Sequence, residues 1–157
     1  MRLLVLLFTL ATAAQAAKVY TSPDHALRAV VSTSSSGESR VVFESLRRRP
    51  VLIRDPHGYG IAHAAWTQDS QFFVAGTQAS GGHQPWAYPI WIYSRAANQV
   101  FELGKVGLTA VSDFSVRPPD VLQTRVLDCA RPISIRLRQL IVDGRSGNIR
   151  GLCKGAR

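Results

Sequence analysis

Apolar residues fall in short runs between polar turn residues, with almost no helical periodicity after residue 16. Leu27 to Val31, Arg40 to Ser45 and Val51 to Arg54 predict three strands. Ser32 to Ser39 reads as a serine-rich turn, Arg47-Arg48-Arg49-Pro50 breaks the second run near a hairpin tip, and Asp55 to Gly60 is a turn cluster. Ile61 to Trp66 and Gln71 to Gly76 predict the next two strands. A glycine-rich loop follows over 78–85, then a strand at Ile90 to Tyr93, a turn at Arg95 to Asn98 and a return strand at Gln99 to Leu103. A last hairpin is predicted over Leu140 to Arg150.

The pattern repeats. Ser22-Pro23-Asp24-His25-Ala26-Leu27 and the apolar run after it align at an offset of 45 residues with Thr67-Gln68-Asp69-Ser70-Gln71-Phe72 and its run. Each is a polar turn around an aspartate, followed by a short apolar strand. Leu140 to Arg150 aligns with Trp91 to Phe101 at an offset of 49, and Pro118-Pro119-Asp120 before Val121-Leu122 echoes the aspartate turn. A period near 45 matches one four-stranded β-propeller blade. The sequence therefore predicts an all-β, propeller-like array of about three antiparallel units, near 17–59, 60–112 and 113–157, in one domain. The competing architecture is a β-sandwich or barrel, whose strands also recur regularly. Three units do not close a propeller of the usual four to eight blades. Two chains would complete a six-bladed ring, and open sheet edges otherwise invite pairing with another chain.

The stretch from Ala64 through Trp66-Thr67-Gln68-Asp69-Ser70 to Ala75 resembles the W-S-P-D-G-x-x-I-A-F core of the TolB-like, or WD40-like, propeller repeat. Ser22-Pro23-Asp24 carries that motif more literally, and Ile90 to Tyr93 with Gln99 to Leu103 resembles the later hairpin of such a blade. Thr67-Gln68 stands in place of Ser-Pro, and Ser70 in place of the turn glycine. The resemblance implies that Asp24 and Asp69 cap tight turns entering strands, a structural role, and that the protein is a scaffold for binding proteins or ligands, often periplasmic.

Residues 1–16 read as a secretory signal peptide. Met1-Arg2 is a basic start, Leu3 to Leu10 an apolar run and Ala14-Gln15-Ala16 a cleavage site. Cleavage before Ala17 would place the mature chain in the periplasm or outside the cell. Of 19 Lys and Arg, Arg2 is lost with the leader, and 18 remain against 10 Asp and Glu. This excess is mostly arginine, which pairs with carboxylate and phosphate in bidentate fashion. An anionic glycan or lipid surface, or an acidic protein, is thus a natural partner, while no nucleic-acid module signature is present. In an oxidising compartment Cys129 and Cys153 form an expected disulfide, closing a loop of about 25 residues and contributing about 3 kcal/mol.

Gly81 to Pro89 is the stretch packing explains least, and His83, Trp86 and Tyr88 make it a candidate contact loop. The alternative is that Trp86 and Tyr88 fold back on the core. Arg47, Arg48 and Arg49, with Arg136 and Arg138 alternating with Ile135 and Leu137 on one strand face, form a candidate basic surface; its other reading is edge protection. The four histidines are scattered without a third ligand, so no metal or cofactor is expected. No G-x-S-x-G elbow occurs, and the acids are spread through turns, which leaves a divergent hydrolase using His83 as the remote alternative. The expectation is an exported, non-catalytic binding protein with a protein partner in the cell envelope. Binding of anionic glycan or lipid through the arginines is the second expectation.

Overall fold

The computed structural model describes residues 17–45, 48–54, 59–79, 89–103, 110–126 and 131–141. They form three antiparallel sheets and one helical turn. The first sheet is a meander of β1 (Lys18–Thr21), β2 (Arg28–Thr33), β3 (Ser39–Ser45) and β4 (Arg48–Arg54). The second runs in the same order through β5 (Tyr59–Trp66), β6 (Phe72–Ala79), β7 (Ile90–Ser94) and β8 (Gln99–Glu102). The third contains β9 (Ala110–Arg117), β10 (Val121–Val126) and β11 (Ile133–Arg136), and α1 (Leu137–Ile141) follows it directly.

Burial explains why these segments are strands. In β2 and β3, Ala29, Val31, Val41 and Phe43 are buried while Arg28 and Arg40 are exposed, the alternation of a sheet with one covered face. Phe72 to Thr77 and all of β7 are instead buried throughout. The second sheet is therefore covered on both faces. Phe73, Ala75, Trp91 and Tyr93 meet Leu27, Ala29, Val31, Val41 and Phe43 of the first sheet. Phe72, Val74, Ile90 and Ile92 meet Phe114, Leu122, Ile133 and Ile135 of the third. Phe43 and Tyr93 stack at 3.8 Å between the first two sheets, and Phe73 meets Phe43 edge-on at 5.3 Å. The first strands of successive sheets are neighbours: Trp66 Nε1 donates to the Tyr20 carbonyl at 2.8 Å, and the rings of His63 and Phe114 lie 4.1 Å apart.

The strand containing Arg48, Arg49 and Pro50 starts earlier than the sequence reading placed it. Phe43 pairs with Val51 and Ser45 with Arg48, so one residue of β3 faces the two residues Arg49 and Pro50. That bulge lets proline, which has no N–H to donate, enter the edge strand β4. A larger difference lies in the third sheet. Ile133 and Ile135 alternate with Ser134 and Arg136 as expected, but the alternation stops there. The chain enters α1, burying Leu137 and Leu140 at helical spacing against the second core. Leu140 and Ile141 are therefore helical rather than the start of a hairpin strand, and 142–150 lie outside the described residues.

Candidate functional site

Among the described residues, the turns joining the first and second strands of each sheet carry an aspartate each, Asp24, Asp69 and Asp120, held in side-chain hydrogen bonds. The first two turns are hydrogen-bonded in the same way. Ser22 N–H donates to the Leu27 carbonyl at 2.9 Å, and Thr67 N–H to the Phe72 carbonyl at 2.9 Å. Leu27 N–H returns to Ser22 Oγ at 3.0 Å, as Phe72 N–H does to Thr67 Oγ1 at 3.0 Å. The hydroxyls donate in turn to Asp24 Oδ1 at 2.7 Å and Asp69 Oδ1 at 2.6 Å. The same Oδ1 atoms accept from Ala26 N at 3.2 Å and Gln71 N at 3.1 Å. The turn closes through a left-handed residue, His25 with φ 57° in the first and Ser70 with φ 60° in the second.

Each carboxylate divides its oxygens. Oδ1 holds its own turn, whereas Oδ2 reaches the next sheet. Arg95, in the turn after β7, donates from Nη1 to Asp24 Oδ2. Arg138, in α1 after β11, donates from Nη2 to Asp69 Oδ2 at 2.7 Å. Asp24 N–H adds a direct link from the first turn to the second, donating to Ser70 Oγ at 3.0 Å. The Ser22 hydroxyl, followed by Arg95, holds the Asp24 carboxyl far below its ordinary value of 3.8. For Asp69, burial pushes the carboxyl up, but the Thr67 hydroxyl, the Arg138 guanidinium and the Gln71 amide together outweigh it, and the group lies below 3.8. Asp69 correspondingly raises Arg138.

The third turn has the place but not the bonding of the other two. Residues 118–120 join β9 to β10, and Asp120 is buried at 1% exposure. Its carbonyl accepts Leu137 N–H at 2.9 Å, and its Oδ2 accepts Arg138 N–H at 3.1 Å and lies 3.7 Å from Arg138 Nε. Asp120 thus fixes the start of α1 and the arginine that clamps Asp69. This corrects the reading of Arg136 and Arg138 as one strand face. Arg136 ends β11 exposed, while Arg138 belongs to α1 and pairs with Asp69 and Asp120. Sequence reasoning missed Arg95 as a clamp. Its only signal is an arginine just past the third strand of a sheet, where Arg138 also stands.

His83, Trp86, Tyr88, Arg47, Cys129 and Cys153 lie outside the described residues, as does the leader 1–16. Arg48 and Arg49 open β4. On the exposed face of the third sheet, a cleft of about 200 Å³ is lined by Asp113, Ser115, Gln123, Arg125 and Pro132, among others. Gln123 Nε2 beside it donates to Ser134 Oγ at 3.1 Å. The cleft offers hydrogen bonds and both signs of charge, without a nucleophile set beside a base. Among the described residues no group of three His, Cys, Asp or Glu converges as metal ligands would. No protein-family profile matches the chain, and no characterised protein or solved structure matches it either.

Proposed function

We propose that the chain is an exported, non-catalytic binding protein of the cell envelope, built as an incomplete propeller-like array. The observation carrying this reading is the repeated aspartate turn and its arginine clamp. Among the described residues, the clearly perturbed ionisable groups sit in pairs across sheet junctions, Asp24 with Arg95 and Asp69 with Arg138, rather than converging on a cleft. Their chemistry holds the scaffold. Two further features support a blade-like arrangement. First strands are neighbours from sheet to sheet, and the left-handed angles at His25 and Ser70 fall where the resembled repeat has glycine. In this reading the Gly81 to Tyr88 loop, between β6 and β7, carries the contact through His83, Trp86 and Tyr88.

A second reading draws support from charge. Arg117 and Arg136 flank Val121 in the register of the third sheet, and Arg125 is exposed on the same strand as Val121. Such a face suits anionic glycan or lipid. One experiment separates the two: residues 17–157 are immobilised against detergent-solubilised envelope extract beside Trp86→Ala and Arg117→Gln/Arg136→Gln variants. The loop reading requires a protein partner retained at high salt and lost with Trp86→Ala. The charge reading requires anionic material removed by salt and by the double arginine variant. Retention of nothing by the wild-type protein refutes both.

A further inference from the structure

The two outer faces of the array are built differently. In the third sheet, the face turned away from the second carries Ser115, Gln123, Ser134, Arg117 and Arg136, the polar outer surface of a terminal unit in a repeat stack. In the first sheet the register aligns Val19 with Val30 and Val30 with Val42, and Leu52 stands opposite Val42. Val19 is 55% exposed, Val30 and Val42 are half-buried, and none of the three belongs to either core. Val30 and Val42 hold the positions that Ala75 and Trp91 hold in the second sheet, whose face there is covered by the first. The outer face of the first sheet therefore keeps the apolar middle row of a sheet-packing surface.

Charged rows border the valines. Arg28 and Glu44 pair on one side at 3.4 Å, and Ser32, Arg40 and Arg54 align in register on the other. Arg40 has no carboxylate partner among the described residues of its own chain. We infer that this face binds a second copy of the chain, sheet to sheet, about a two-fold axis lying along the valine row. That rotation stacks Val30 on the partner's Val30 and Val42 on the partner's Val42. It reverses the strand direction, so Glu44 lies over the partner's Arg40 and supplies the missing carboxylate twice, while Arg28 lies over the partner's Ser32. A head-to-tail ring would instead press Gln123, Ser134 and Arg136 onto valines, burying polar groups without acceptors. A four-stranded face at about 4.8 Å per strand and about 3.3 Å per residue covers roughly 400 Å² per copy. That is the low end for specific interfaces, so the dimer is weak and concentration-dependent. The inference does not depend on what the 81–88 loop binds.

The test is sedimentation equilibrium and light scattering of residues 17–157 from about 1 to 200 µM, with circular dichroism to confirm that each variant is folded. The expected result is a monomer–dimer equilibrium that Val42→Lys abolishes. Glu44→Arg and Arg40→Glu each weaken it about tenfold or more, and the Glu44→Arg/Arg40→Glu double variant returns to within about threefold of the wild-type protein. A monomer over the whole range overturns the inference. A dimer indifferent to Val42→Lys, or one that the double swap does not restore, overturns it equally.

Discussion

The turn at Thr67 yields an ordered prediction because three bonds of different exposure meet in one motif. Thr67 is fully buried, and its Oγ1 accepts the buried Phe72 N–H at 3.0 Å. Thr67→Val keeps the shape but removes that acceptor and strands a buried donor, at a cost of about 2–3 kcal/mol. Asp69→Ala removes the Oδ1 partner of the Thr67 hydroxyl and of Gln71 N–H. The hydroxyl can turn to the Phe72 carbonyl, 3.2 Å away, and the amide lies nearer solvent, so the cost is about 1–2 kcal/mol. Asp69→Asn keeps Oδ1 and removes only the ionic Oδ2 contact to Arg138, whose side chain is 58% exposed. Its effect is the smallest of the three, because a solvated partner screens the charge.

Reversible urea unfolding followed by circular dichroism measures all three. The expected loss of stability ranks Thr67→Val above Asp69→Ala above Asp69→Asn. Thermal midpoints should follow at roughly 4 °C per kcal/mol for a domain of this size. An Asp69→Asn protein as unstable as Asp69→Ala would show that the clamp, not the turn, dominates, and would refute the division of labour between the two oxygens.

Three further outcomes follow from the same geometry. The Asp24 and Asp69 carboxyls lie below their ordinary 3.8 in the folded chain, so their contribution is complete above that value and disappears as pH falls through the folded values. The stability gap between wild type and Asp24→Asn/Asp69→Asn should be constant above about pH 5 and shrink in acid, and urea midpoints that keep the gap at pH 2 would contradict this. Gly60→Ala should destabilise by about 1–3 kcal/mol in urea titration, because its Cβ would stand 2.7 Å from the Gly37 carbonyl oxygen; a neutral result would mean that the 34–38 turn yields freely. His25→Gly should stabilise by about 0.5–1 kcal/mol, relieving the φ of 57° at an exposed side chain, and a loss of stability in the same titration would count against the turn geometry.

Apart from β1 (Lys18–Thr21), four residues that the sequence reading left unassigned, the strands of the first two sheets were legible because their signal is local. An apolar run with period two between turn residues contains both the strand and its stops, and the 45-residue echo marks both turns around Asp24 and Asp69. The third sheet was harder to read because Ile133, Ile135 and Leu137 keep strict alternation to the last residue of β11 and one beyond. The helical signal is only the three-residue spacing of Leu137 and Leu140, which competes with the apolar run Leu140 to Val142. The clamps were invisible for a different reason. Arg95 and Arg138 lie 71 and 69 residues from their aspartates, and such a pairing exists only once sheets are stacked.

The direction of those clamps bears on how the array ends. Each aspartate turn is completed by an arginine from the following sheet, Asp24 by Arg95 and Asp69 by Arg138. In the third sheet Asp120 bonds instead to its own α1, so among the described residues that turn carries no carboxylate reaching outward, and the outer face beside it is polar. Among the described residues, that end therefore offers neither an outward-reaching turn carboxylate nor an apolar row. At the other end, Val19, Val30 and Val42 remain available while Glu44 and Arg40 supply opposite charges on either side. On the proposed pairing, one polar and one self-complementary face let the stack grow to two copies and stop. That closure separates a discrete pair from the open-ended fibre that a head-to-tail contact would allow.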